Sequence, residues 1–156
     1  WSVRAVGVHV TSSKGLPSVH YAVVEDAGAG PELVTEAGWS ADAQASDAPA
    51  LANLQRWLLS RLPADAADVV AVKLADNHFR SKIDANLVAR TRAEGVVLSV
   101  ADLHGVPKTR GFLGSQLADA LGTAKKEGAL IAVSEMFGDV ADLEAVAVAV
   151  AALRST

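Results

Sequence analysis

The run "DVVAVKLA" at residues 68–75 constrains the fold more than any other stretch of the chain. Four apolar residues precede Lys73 and two follow it, with neither strict alternation nor helical spacing. A short, nearly continuous apolar run of this kind reads as a strand buried on both faces. Such a strand needs helices above and below it, so an α/β architecture is expected. The same run contains Lys73, whose ammonium has no cheap place in a central strand unless it meets a partner. Either Lys73 points into a polar site at the strand's end, or the strand lies at a sheet edge.

The rest of the chain supplies the strand's neighbours. Residues 3–10 alternate and are rich in β-branched side chains, which predicts a first strand, and Ser12, Ser13, Lys14, Gly15 and Pro17 predict a turn. A second strand over 18–25 and, beyond "AGAGP", a third over 32–40 complete an antiparallel meander. Asp47 is the expected N-cap of a helix through about Leu62, with Leu51, Leu54, Leu58, Leu59 and Leu62 at helical spacing and Pro63 as its stop. After the strand at 68–75, a helix is expected over Lys82–Glu94 with Gly95 as its cap, and "VVLSVADL" at 96–103 reads as the last strand. Residues 104–114 read as a basic, Gly- and Pro-containing loop, 115–136 as a helix interrupted near Gly122 and Gly128, and Asp139–Arg154 as an Ala/Val-rich helix. The order β-β-β-α-β-α-β-α predicts a mixed five-stranded sheet with helices on both faces. No repeat or linker divides the chain, so residues 3–153 are expected to form one domain.

Composition excludes several chemistries. The chain has no Cys, which rules out a disulfide framework, a thiolate metal site and a Cys nucleophile. There is no G-x-x-x-x-G-K-[ST] phosphate loop and no G-x-S-x-G elbow. No stretch approaches the roughly 18 continuous apolar residues of a membrane span, so a soluble, cytoplasmic protein is expected. The net charge is −4, yet residues 73–126 hold nine of the 14 basic side chains against five acids. That segment can face a polyanion while the whole stays acidic. Trp39 and Trp57 fit a strand and an amphipathic helix, where core packing is the expected role.

Three strings carry a family resemblance: "VRAVGVHV" followed by "SVHYAVVE", then "ADVVAVKLADNHF", then "GDVADLEAVAVAVAAL". In this order, and spanning residues 3–153, they resemble the ribonuclease H-like superfamily, within it the RuvC-type Holliday-junction resolvases and their YqgF-like relatives. The resemblance implies a carboxylate at the end of strand one, a Glu in strand four and a catalytic Asp opening the last helix. Such carboxylates hold two Mg²⁺ or Mn²⁺ ions about 4 Å apart, one activating water and the other stabilising the leaving oxygen. Hard divalent ions require oxygen ligands, hence Asp and Glu. In this chain the first position carries His9 and the second Lys73. Asp142, with Asp139 three residues before it, matches the third.

An ammonium repels the ions it would have to hold, so the expected site is degenerate, with His9, Lys73 and Asp142 in a polar network in which Lys73 pairs with Asp142. The expected function is therefore non-catalytic binding of nucleic acid or a protein partner, with no resident metal. The contacts are expected through Arg80 and Lys82 in "DNHFRSK" and through Lys108 and Arg110 in "HGVPKTRG". These loops are expected at the carboxyl ends of the strands, where α/β sheets gather ligands. The alternative is a Mg²⁺- or Mn²⁺-dependent, resolvase-like nuclease using a remodelled site of His9, Asp76, Asp139 and Asp142. A third reading is a protein-interaction or assembly module, since the resemblance implies a homodimer.

Overall fold

In the first strand, Val alternates with small or polar residues, and this alternation sorts the two faces of the sheet. A computed structural model describes residues 1–76 and 83–155. Its elements are β1 (Val3–Ser13), β2 (Leu16–Asp26), β3 (Pro31–Ser40), α1 (Asp47–Asp65), β4 (Val69–Lys73), α2 (Ala85–Leu103), β5 (Lys108–Phe112), α3 (Gly114–Ala120), α4 (Lys126–Phe137) and α5 (Leu143–Arg154). The five strands form one mixed sheet in the order β3-β2-β1-β4-β5. The β1–β2 and β2–β3 pairs are antiparallel, while β1–β4 and β4–β5 are parallel. Lys14 and Gly15 both take positive φ between Ser13 and Leu16, so a two-residue turn closes the first hairpin.

One face of the sheet presents Val6, Val8 and Val10 of β1 with Val70 and Val72 of β4, packed under Leu54, Leu58 and Leu62 of α1 and Val97 and Val100 of α2. The other presents Ala5, Ala22 and Ala71 to α5, with α3 and α4 behind it. α5 buries every residue from Ala145 to Ala152, so it is apolar all round, as a helix enclosed between a sheet and other helices must be. Small side chains on both sides let it approach β1 closely. A Cβ added at Gly7 would overlap the Ala145 carbonyl oxygen and lie 2.8 Å from Ala149 N, atoms of the helix backbone that cannot swing away.

Three expectations are corrected. Residues 96–103 are the second half of α2 and not a strand, and Gly95 lies on its exposed face instead of capping it. The buried set Ala89, Ala93, Val97, Val100 and Ala101 follows the helical period, which outweighs the β-branched composition. The last strand instead lies in the expected loop, at Lys108–Phe112, where an edge position tolerates exposed Lys108 and Arg110. At the chain's end the helix begins at Leu143, so Asp139 precedes it by more than the cap residue. Smaller differences concern α1, which has Ser46 and not Asp47 at its N-cap and runs two residues past Pro63 to a left-handed Ala66. The interruption near Gly122 separates α3 from α4, whereas Gly128 sits inside α4. Among the described residues no helix is long and apolar enough to cross a membrane.

Two glycines test this packing. Gly7→Ala is expected to destabilise the protein by about 3 kcal/mol or more in urea unfolding, because backbone must move to admit the methyl. Gly95→Ala, with open space around it in mid-helix, is expected to stabilise by about 0.5–1 kcal/mol. A loss of stability from Gly95→Ala would contradict a continuous α2.

Candidate functional site

Strand register brings the anomalous residues together. His9 is paired with His20 across the antiparallel side and with Lys73 across the parallel side. Side chains at paired positions share a face, so a row of His20, His9 and Lys73 crosses the sheet at the carboxyl end of β4, with β1 running on four residues past His9 to Ser13. It lies on the face that α5 covers, where the N-terminus of that helix delivers Asp142 and Glu144.

Asp142 is the N-cap of α5, and its Oδ1 accepts from Ala145 N–H at 2.8 Å. Glu36 of β3 fixes the entry to the helix, accepting from Ala141 N–H at 2.9 Å and Asp142 N–H at 3.4 Å. Between the two acids sits the His9 ring. Its Nδ1 lies 3.0 Å from Asp142 Oδ1 and its Nε2 2.6 Å from Glu144 Oε2. Carboxylates accept and do not donate, so the two contacts favour hydrogen on both ring nitrogens, the imidazolium form of His9. Burial opposes that charge, but the hydrogen bonds and charges of Asp142 and Glu144 outweigh it and raise the pKa above the ordinary 6.5. The acids respond in the opposite sense. Burial resists ionisation of Asp142, yet His9 and the Ala145 N–H hold its pKa below the ordinary range. Glu144, bonded first to His9 and also to Lys126, is held down at about 2.

The chain of charges continues. Lys126, the first residue of α4, bonds Glu144 Oε1 at 2.9 Å, which raises the lysine's pKa. Lys73 is 1% exposed and donates to Leu74 O at 2.6 Å and to Asp76 Oδ2 at 3.0 Å. Asp76 also accepts from Gly114 N–H at 2.7 Å. Burial works against its ionisation, but Gly114, Lys73 and, at longer range, Lys126 hold its pKa below the ordinary value. His20 lies outside this chain, 3.7 Å from Asp142 Oδ2, with its other nitrogen 3.1 Å from Thr11 Oγ1. On the opposite face, buried Glu94 accepts from Ala75 N–H at 3.1 Å and from Arg90 Nε at 3.0 Å, tying the exit of β4 to α2.

The expected site residues are thus only partly gathered. His9, Lys73, Asp76 and Asp142 lie in one region, but Lys73 pairs with Asp76 and not with Asp142, because the β4 chain turns the carboxylate of Asp76 back onto it. Asp139 is exposed and precedes the helix. Lys108 and Arg110 are on a strand, and Lys108 pairs with Val69, four residues from Lys73 and roughly 13 Å away along the strand. They therefore do not join a loop at the carboxyl ends. Arg110 lies over the Phe112 ring at 4.7 Å. Arg80 and Lys82 lie outside the described residues. Glu144, Lys126, His20 and Glu36 were not singled out from sequence; a second acid two residues after Asp142 was the one available signal.

This donor set does not fit a pair of divalent ions. Both nitrogens of His9 are committed to carboxylates, and Lys73 holds the position of strand four. A doubly charged ion about 4 Å from one ammonium is opposed by about 8 kcal/mol at an effective dielectric of about 20. Among the described residues no group of three or more His, Asp or Glu side chains is arranged to hold a metal.

No protein-family model matches the chain, and no curated protein matches it in sequence. Solved structures do. RuvC of Thermus thermophilus superposes with a TM-score of 0.74 at 20% identity, over 97% of this chain and 94% of that one. The T. thermophilus protein in complex with a Holliday junction substrate gives 0.73 at 17% identity, over 97% and 93%. The yeast mitochondrial Holliday junction resolvase Ydc2 gives 0.56 at 12% identity, over 97% and 78%. The fold is RuvC-like. It is the ribonuclease H-like mixed sheet with helices on both faces that the three strings implied.

Two measurements probe this site in the RuvC-like fold. His9 contributes stability that is complete below its unfolded pKa of 6.5 and is lost as pH rises through its higher folded value. Asp142 and Glu144 contribute above their ordinary 3.8 and 4.5 and lose it as pH falls toward about 2 for Glu144. Stability should therefore peak between 4.5 and 6.5, with urea midpoints lower at about pH 8.5 than at about pH 5.5; His9→Gln should flatten that alkaline limb. Separately, Asp76→Ala leaves Lys73 buried without its carboxylate and should cost about 3 kcal/mol, whereas Lys73→Met should cost less than about 1 kcal/mol. Equal losses would show that the pair itself is net stabilising, and not that the cost lies in an uncompensated buried ammonium.

Proposed function

We propose that residues 3–153 form a cytoplasmic, non-catalytic RuvC-like domain that binds nucleic acid. One observation carries the loss of catalysis: the β4 position at which the resemblance implies a metal-binding Glu is the buried ammonium of Lys73, level in the sheet with the imidazolium of His9. Support for nucleic acid comes from the fold, which this chain shares with a RuvC solved in complex with a Holliday junction substrate. The exposed basic side chains of Lys108 and Arg110 point the same way, since phosphate contacts need Lys and Arg regardless of overall charge. Arg80, Lys82, Lys108 and Arg110 are proposed as the phosphate-contacting residues, Lys108 and Arg110 being exposed on the edge strand. The homodimer implied by the resemblance belongs to the same reading.

The test uses four-way junction, duplex and single-stranded DNA with the intact protein. Affinity is expected to fall steeply with salt, the log–log slope being about −0.9 per phosphate contact on duplex. Removing Lys108 and Arg110 together should weaken binding on all sequences and make that slope shallower by about 2. No strand is expected to be cut in Mg²⁺ or Mn²⁺. Metal-dependent cutting would replace this reading with the nuclease of His9, Asp76, Asp139 and Asp142. A salt-insensitive protein that ignores all three DNAs but sediments as an assembly would replace it with the protein-interaction module.

A further inference from the structure

We infer that His9, Lys73 and Lys126 are resident counter-ions that stand in for divalent metal, so that the site is complete without metal and becomes a metal site when two of these cations are exchanged for acids. The inference deepens the non-catalytic reading and rests on it for the family positions, but its observations are the ion pairs themselves. Three acids, Asp76, Asp142 and Glu144, meet three cations. Asp142 is bonded to His9, His9 to Glu144, Glu144 to Lys126, and Asp76 to Lys73, with Lys126 also within electrostatic reach of Asp76. Signs alternate along the chain and the formal charges cancel. Every acid therefore has its counter-charge within hydrogen-bonding distance, which is the condition for keeping partly buried carboxylates ionised.

The cations come from separate elements, β1, β4 and α4, and converge on the N-terminus of α5 and the exit of β4. The acids have the hard oxygen ligands that Mg²⁺ and Mn²⁺ require, and what excludes those ions is the cations between them. Exchanging His9 and Lys73 for acids would put oxygen ligands on neighbouring strands at one level of the sheet, the first where His9 meets Asp142 and Glu144 and the second where Lys73 meets Asp76. Uncompensated, those carboxylates repel one another; a divalent ion removes the repulsion.

The test measures Mn²⁺ alone, by electron paramagnetic resonance of the free ion and by thermal melting, on the wild-type chain and on the double variant His9→Asp, Lys73→Glu. The wild-type protein is expected to leave the Mn²⁺ signal and its melting temperature unchanged, and to be indifferent to a chelator. The double variant is expected to melt lower without metal, to quench the free Mn²⁺ signal, and to regain about 5 °C or more at roughly a hundredfold excess over its Kd. Should the double variant not fold, His9→Glu with Lys73→Asp provides the same readout with both cations exchanged. Stoichiometric Mn²⁺ uptake by the wild-type chain would overturn the inference, as would folded variants that take up none. Neither outcome depends on DNA binding, so a failure here is distinct from a failure to bind junctions.

Discussion

The close seating of α5 on β1 is the contact on which the rest of the molecule depends. It requires Gly7 beneath the Ala145 carbonyl and small residues at Ala5, Ala22 and Ala71 around it. Because the helix is buried on every side from Ala145 to Ala152, it cannot rotate or slide without breaking the core on that face. Its N-terminus is therefore fixed in position above His9 of β1. That rigidity converts an apolar packing arrangement into an electrostatic one, since it sets where Asp142 and Glu144 must be.

Given that placement, the ion pairs follow from elementary costs. Two carboxylates two residues apart, each 17% exposed, cannot both remain ionised without cations. His9 lies between them and answers with both ring nitrogens, and Lys126 reaches the second acid from α4. Lys73 faces the complementary problem, a buried ammonium in an apolar strand, and is answered by Asp76 and a backbone carbonyl. The fold is RuvC-like, and at these strand ends its charges are balanced by side chains.

Most of the sheet was legible in the sequence because its strands announce themselves by period. The alternation in β1 and β2 and the continuous run in β4 each have one structural solution. The errors lie where composition and period disagree. Val96, Val97 and Val100 suggested a strand, while the spacing of Ala93, Val97, Val100 and Ala101 obeyed a helix and prevailed. The strand β5 was missed because "KTRGF" has one fully buried side chain, Phe112, as an edge strand allows.

The site divides in the same way. His9, Lys73 and Asp142 were marked in the sequence by the positions the resemblance implies, and Lys73 also because a charged residue in an otherwise apolar strand needs a partner. Their partners were not. His9 meets Asp142 across 133 residues, and Lys126 meets Glu144 from a helix whose surface pattern gives no sign of it. The sequence by itself determined that Lys73 and His9 had to be satisfied, because burial of an unpaired charge is too costly to tolerate. Only the tertiary structure decided by whom, because strand register and the seating of α5 on Gly7 choose which charges come within 3 Å of each other.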